Sequence, residues 1–367
     1  MNGSRHEVII VGAGQSGLAA GHALAQRGVD FLILEASERI GDVWRGRYDS
    51  LVLYSRAKDD ALPGLPFPLP ASDFPTGRQM GDYLESYAAH HRLPVRTGVR
   101  VGTVERVADG RFRVASAEEE FSARQVIIAS GPFREPKVPD FASELDGAVR
   151  QVHSSAYRGP GQLQDGPVLV VGLAHSGADL AMEAVRSGHR THLSGRAHGQ
   201  LPFSIDTRRG RVAFPVMKFL GTHVLNMRTP IGRRMAPKVR MGGGPLLRHR
   251  LPDLDRAGVE RHDARTVGVR DGKPMLDDGT VLDVANVIWC TGFRPAFDWI
   301  RPPVVGDDGW PVHERGVVTT APGLYFLGLP FLFSFTSMLV AGAARDAAYV
   351  ADRIAERLAA EPVAVAA

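Results

Sequence analysis

The chain has 367 residues, 44% hydrophobic and 23% charged, which suits a globular protein of about two domains and excludes bulk disorder. A single cysteine, Cys290, excludes an internal disulfide, a redox cysteine pair and a cysteine-rich metal site. The net charge of +4 hides an asymmetry: residues 207–250 hold 11 Lys or Arg and no Asp or Glu, leaving 33 basic against 40 acidic residues elsewhere.

In chain order, the polar Met1–Glu7 lacks a signal-peptide layout, and a cytoplasmic location is expected. Residues 7–11 (Glu-Val-Ile-Ile-Val) read as a strand, Ser16–Gln26 as a helix and Phe31–Leu34 as a second strand, together a β-α-β unit of a parallel sheet. Residues 40–78 are proline-rich loop, and Gln79–His91 is a helix candidate. Val95–Val107, Arg111–Val114 and Val126–Ala129 read as strands. A second β-α-β unit runs through Val168–Val171, Ser176–Ser187 and Thr191–Leu193. Val281–Trp289 and Leu324–Leu327 are further strands, and a helix follows from about Ser337 to Ala359. The stretch from Gly316 to Ala344 is uncharged and long enough to span a bilayer, but Pro322, Gly323, Gly328 and Pro330 break it into short buried elements. The fold expected is α/β, with two Rossmann-like dinucleotide-binding domains. Residues 1–160 and 295–367 form the first, and 161–294 the second, inserted into it and carrying the basic insertion 207–250.

Gly12-Ala13-Gly14-Gln15-Ser16-Gly17 matches G-x-G-x-x-G between strand and helix. Gly12 allows the tight turn, Gly14 lets the backbone approach a pyrophosphate, Gly17 permits close helix packing, and the helix N-terminus offers free N–H groups. Glu35 follows at the end of the next strand, where its carboxylate accepts ribose hydroxyls and repels a 2′-phosphate, so FAD or NAD is expected rather than NADP. The second fingerprint is Gly172-Leu173-Ala174-His175-Ser176-Gly177, with Ala174 at the middle glycine position. Arg196 stands where an acidic residue would select NAD, and its guanidinium suits a 2′-phosphate, so NADPH is expected. His175 either contacts the nicotinamide nucleotide or caps the helix. Two nucleotide sites in one chain imply electron transfer between unlike cofactors, which makes the first one FAD.

These motifs resemble the class B flavin-dependent monooxygenases, nearest to the flavin-containing monooxygenases and their short bacterial relatives. Ile40-Gly41-Asp42-Val43-Trp44-Arg45 is similar to the family's Gly-Gly-x-Trp segment, with Asp42 for the second glycine. Ala129-Ser130-Gly131 and Cys290-Thr291-Gly292 resemble its paired Ala-Thr-Gly strand ends, and Leu324–Gly328 its flavin-covering segment. His153-x3-Tyr157 fits part of the family signature, with Leu145 in place of its aromatic residue; His153 is either a signature residue or a structural hinge histidine. Ala36, Val43, Trp44, Val104, Gly131, Thr291, Gly292 and Gly328 join the fingerprint residues as the expected cofactor-binding set. An ungapped comparison puts Tyr54 where animal members often carry an Asn beside the flavin. No side chain is assigned a catalytic role, and no metal is expected.

The resemblance implies hydride transfer from NADPH to FAD, addition of O2 at flavin C4a, and oxygen transfer from the resulting (hydro)peroxyflavin to an amine nitrogen or sulfur of a small molecule. Alternatives are Baeyer–Villiger oxygenation of a ketone, NADPH reductase or oxidase activity without oxygen insertion, and a non-catalytic FAD- and NADPH-binding regulator. The basic segment 207–250 reads in three ways: a peripheral membrane or lid element, an attractor of NADPH and anionic substrate, or a solvated insertion. No nucleic-acid recognition motif accompanies the charge. A homodimer is the default expectation for assembly.

Overall fold

The computed structural model describes residues 4–240 and 243–360. β1 (Arg5–Val11), α1 (Gln15–Ala25) and β2 (Phe31–Leu34) make the first β-α-β unit, followed by α2 (Asp42–Arg45) and α3 (Gly77–His90). Next come β3 (Val95–Arg96), β4 (Thr103–Arg106), β5 (Phe112–Ala115), β6 (Glu120–Ile128), β7 (Glu135–Pro136) and β8 (Arg150–His153). The second unit is β9 (Val168–Val171), α4 (His175–Arg186) and β10 (Thr191–Ser194). Helices α5 (Arg208–Phe219), α6 (Pro230–Arg240) and α7 (Leu251–Ala257) precede β11 (Glu260–His262), β12 (Thr266–Arg270), β13 (Lys273–Leu276), β14 (Asn286–Trp289) and β15 (Phe293–Arg294). β16 (Leu324–Phe326) and α8 (Val340–Ala360) complete the described chain.

Two main sheets result. The first has the order β3-β2-β1-β6-β5-β4, with β16 also on β6. β6 is long enough to take two partners: β5 pairs antiparallel with residues 120–123, and β16 pairs parallel with residues 126–128. The second sheet, β11-β10-β9-β14-β8, is parallel throughout. Val168–Val171 are all buried, as expected of a central strand covered on both faces. α1 lies so close to the first sheet that a Cβ on Gly21 would come within 2.8 Å of Ile33 Cδ1. Leu18, Leu24, Ile33, Val350 and Ile354 are fully buried between α1, α8 and the sheet, each worth roughly 1.5–3 kcal/mol relative to exposure.

Some elements differ from the sequence pattern. α3 begins at Gly77, because Thr76 and Gln79 form a capping box that periodicity does not report. The strand expected over 95–107 is broken, since Gly98 and Val99 donate to the Ser37 and Glu35 carbonyls instead of continuing a ladder. β8 lies within the 1–160 span yet pairs with β14 of the second sheet, Arg150 to Asn286 through His153 to Trp289. It is a polar edge strand, and nothing in its pattern marks its partner. β7 and β15 pair antiparallel as a two-stranded ribbon where the chain passes between the sheets. The uncharged Gly316–Ala344 run resolves into β16, a 3₁₀ turn at Phe335–Met338 and the start of α8. No described helix is long and apolar enough to cross a membrane.

Candidate active site

The two fingerprints fold into matching cradles. In the first, Gly12 takes φ +108°, and a Cβ there would lie 2.6 Å from the Ala129 carbonyl oxygen; a Cβ on Gly17 would lie 1.9 Å from the Gly12 oxygen. Gly14 differs: nothing lies within 4 Å of its Cβ position, so open space faces the turn where a pyrophosphate must approach. Neither a capping side chain nor a first-turn carboxylate occupies the N-terminus of α1, which leaves the amides of Gln15, Ser16 and Gly17 for an anion. Glu35 Oε2 accepts from Ala13 N–H at 2.7 Å and Oε1 from Ser37 N–H at 2.9 Å, fixing the carboxylate with a lone pair on each oxygen still available to ribose hydroxyls. Gly328 arrives from β16 and sits against Ser16, its Cβ position 2.8 Å from Ser16 Oγ. These features fit a dinucleotide.

The second cradle repeats the geometry. Gly172 also has φ +108°, with Cys290 in the place of Ala129, and a Cβ on Gly177 would lie 1.8 Å from the Gly172 oxygen. Gly12 and Gly172 donate to the Leu34 and Ser194 carbonyls at 2.8 Å, and Ala129 and Cys290 donate to Val11 and Val171 at 2.8 Å. Ala174 fits because its position, like Gly14, is extended with negative φ, a conformation that any residue adopts. α4 likewise has no side-chain cap, so the amides at His175, Ser176 and Gly177 are free to meet phosphate. His175 does not cap the helix: its Nε2 lies 2.8 Å from the Pro245 carbonyl, and its ring packs on Tyr54 with centroids 4.9 Å apart. Arg196 is exposed after β10, with Nη2 held by Asp277 at 3.2 Å; its remaining donors are open to a phosphate.

The other expected residues divide. Ala36 lies in the loop after β2 and Val43 and Trp44 in α2, with Val43 exposed and Trp44 packed between two core clusters. Gly131 and Gly292 take positive φ at the two strand ends, and Thr291 Oγ1 donates to the Lys137 carbonyl. Val104 is fully buried, its N–H donates to Trp299 O and its carbonyl accepts from Arg301 N–H. His153 ties two segments together: Nε2 lies 3.0 Å from the Gly292 carbonyl, while Ser155 N–H donates to Nδ1. That pairing requires the neutral tautomer protonated at Nε2, and burial keeps its pKa below the usual histidine value. Tyr157 is fully buried with its phenol facing Glu183.

A polar network with almost no signal in the sequence joins the cradles. Tyr48 and Tyr54, from the first sheet's loops, both donate to Asp179 Oδ2 on α4, at 3.0 and 2.6 Å. His249 Nε2 stands 3.8 Å from Asp179 Oδ1. Arg248 lies over the Tyr54 ring and donates to the Val52 and Leu53 carbonyls. Burial, then the Asp179 charge, pushes both phenol pKa values up, so they remain donors. Only the position of Tyr54 beside the Trp44 segment hinted at this; Asp179 lies 125 residues further on.

Residues 9–208 match the family described as pyridine nucleotide-disulphide oxidoreductase. The chain is 37% identical to an uncharacterized CzcO-like oxidoreductase of Geobacillus kaustophilus, over 95% of this chain and 98% of that one. A solved flavin-containing monooxygenase of Stenotrophomonas maltophilia superposes with TM-score 0.75 at 26% identity, covering 96% and 99%. The chain belongs to the flavin-dependent monooxygenase family. It is also similar to the probable indole-3-pyruvate monooxygenase YUCCA3 of Arabidopsis thaliana, 30% identical over 95% of this chain and 86% of that one. This flavin monooxygenase is thus an oxidoreductase whose family cofactors are FAD and NADPH, and the two cradles are where its own residues fit them. Its one thiol, Cys290, sits inside the second cradle, and burial pushes its pKa up to about 12, far from the thiolate that disulfide chemistry needs. Among the described residues no cluster suited to a metal occurs.

Proposed function

We propose that the protein uses FAD and NADPH to transfer one oxygen atom of O2 to an amine nitrogen or a sulfur of a small molecule. The carrying observation is the pair of matched cradles joined by the Tyr48–Tyr54–Asp179 network, in a chain with no second thiol to receive electrons. FAD is assigned to the part built from residues 1–160 and 295–367, less β8, and NADPH to residues 161–294. Gly12, Gly14, Gln15, Ser16, Gly17 and Glu35 would hold FAD; Gly172, Ala174, Ser176, Gly177 and Arg196 would hold NADPH. Bound FAD, once reduced by NADPH, supplies activation of O2. The protein's own part is placement and exclusion of water. Tyr54 and His175 pack against each other between the cradles, and the neutral His153 ties β8 to the strand end at Gly292. Asp179 holds both phenols as donors, so the network serves to position and shield, which suits a reaction governed by exclusion of water more than by proton transfer.

A second reading, attack on a ketone, draws support from the 30% identity to YUCCA3, whose name specifies a substrate with a keto group. Turnover under ¹⁸O2 with a panel of amines, sulfides, ketones and 2-oxo acids separates the two. The proposal expects one ¹⁸O in an amine or sulfide product, with one NADPH consumed per product. Ester or decarboxylated products would establish the ketone reading. NADPH consumption yielding only hydrogen peroxide across the panel would favour an oxidase, and no flavin reduction by NADPH would reject both.

A further inference from the structure

Helix α5 and the turn after it present a stripe of large apolar side chains outward. Val212 is 78% exposed, Val216 59%, Phe219 58% and Leu220 44%, and at their spacing these four share one face of α5 and the turn after it. Ile231 at the start of α6 is 52% exposed. The opposite side of the segment carries the polar contacts to the rest of the protein. Lys218 pairs with Asp59 at 2.9 Å, and Phe214 lies under the Arg56 guanidinium. Arg56 also donates to the Arg211 carbonyl, which Pro215 cannot bond within the helix. Met227 N–H and Phe335 N–H exchange backbone bonds with Phe333 and Leu225. The outer apolar stripe departs from the usual surface helix, whose large apolar residues face the core.

Charge says what covers the face. Of the 11 basic residues in 207–250, Lys218, Arg240, Arg248 and Arg250 pair with carboxylates. The other seven, Arg208, Arg209, Arg211, Arg228, Arg233, Arg234 and Lys238, have no carboxylate partner among the described residues, and all seven are exposed. An apolar stripe bordered by unpaired cations matches the boundary of an anionic bilayer, where apolar side chains enter the acyl region and cations meet headgroup phosphates. A second copy of the chain fits poorly, because a two-fold contact would set this cationic patch against itself. We infer that α5–α6 is a peripheral docking surface for anionic lipid membranes. The inference stands independently of the monooxygenase reading.

Flotation of the full chain with vesicles tests it. Binding to phosphatidylcholine/phosphatidylglycerol vesicles is expected to exceed binding to phosphatidylcholine alone by about tenfold or more, and to fall as salt is raised. Combined Val212→Ser, Val216→Ser and Phe219→Ser should lower the partition coefficient about tenfold while thermal stability is kept. Combined Arg208→Gln, Arg209→Gln and Arg234→Gln, which leaves the apolar face intact, should remove the preference for anionic lipid. Absence of binding, or equal binding to both vesicle types, overturns the inference. So does concentration-dependent dimerisation in light scattering that the serine variant abolishes, since the face would then join two copies.

Discussion

Asp60 is fully buried in the loop beneath α5, with Oδ1 accepting from Ser55 Oγ at 2.6 Å and Oδ2 unpartnered among the described residues. Burial pushes its pKa up to about 7; Asp59 adds to the rise, while Ser55 and Lys218 oppose it. The folded state therefore holds this proton more tightly than the unfolded chain. Its contribution is fully present below about pH 4 and is lost as pH rises through 7. Asp60→Asn keeps the Ser55 bond and removes the titration. The variant should gain up to about 4 kcal/mol over the parent at pH 8 and almost none at pH 4, read by denaturant melts at both pH values. Arg196 makes a separate residue-scale prediction. Arg196→Ala should cut the NADPH-to-NADH ratio of kcat/KM by roughly tenfold or more, the worth of a charge-assisted contact. Asp277→Asn, which frees the guanidinium, should lower KM for NADPH; an unchanged ratio in Arg196→Ala would reject the phosphate role.

At the scale of elements, the two β-α-β units were legible because their strands are short apolar runs ended by glycine, and their helices follow without a proline. The cradles separate glycines by job. Gly17→Ala would place a Cβ inside contact distance of the Gly12 oxygen, pushing α1 off its strand. A Cβ on Gly14 would meet no protein atom within 4 Å, so Gly14→Val should leave the melting temperature of the apoprotein nearly unchanged while sharply lowering bound flavin. Absorbance at the flavin band and calorimetry on the same sample give both values, and equal flavin content in Gly14→Val would contradict the FAD assignment. Legibility failed where local pattern carried no signal. β8 is a four-residue polar edge, and the strand expected over 95–107 was broken by carbonyls of the loop after β2. The backbone partners of Val104 show the same limit, since Trp299 and Arg301 lie almost 200 residues away.

At the scale of the whole molecule, the two sheets are joined by the β7–β15 ribbon and by Asp179. Its side chain is 9% exposed and accepts from two phenols of the other part of the chain. Asp179→Ala would strand both hydroxyls and should cost about 2–4 kcal/mol of stability in denaturant melts. Asp179→Asn retains an acceptor and should restore most of that stability. If the network also sets the cradles' spacing, both variants should raise hydrogen peroxide per NADPH consumed, with flavin content unchanged. The sequence alone determined the family, the two phosphate turns and the exclusion of an internal cysteine pair, because these depend on residue types at fixed local spacing: glycines where backbone must approach, and one cysteine. It also exposed the cationic excess of 207–250. Only the tertiary structure decided that Tyr54 and Asp179 meet, that Arg196 shares its guanidinium with Asp277, that Val104 is core, and that α5 turns its apolar residues to the outside. Each of these is a pairing between distant segments, settled by packing rather than by periodicity.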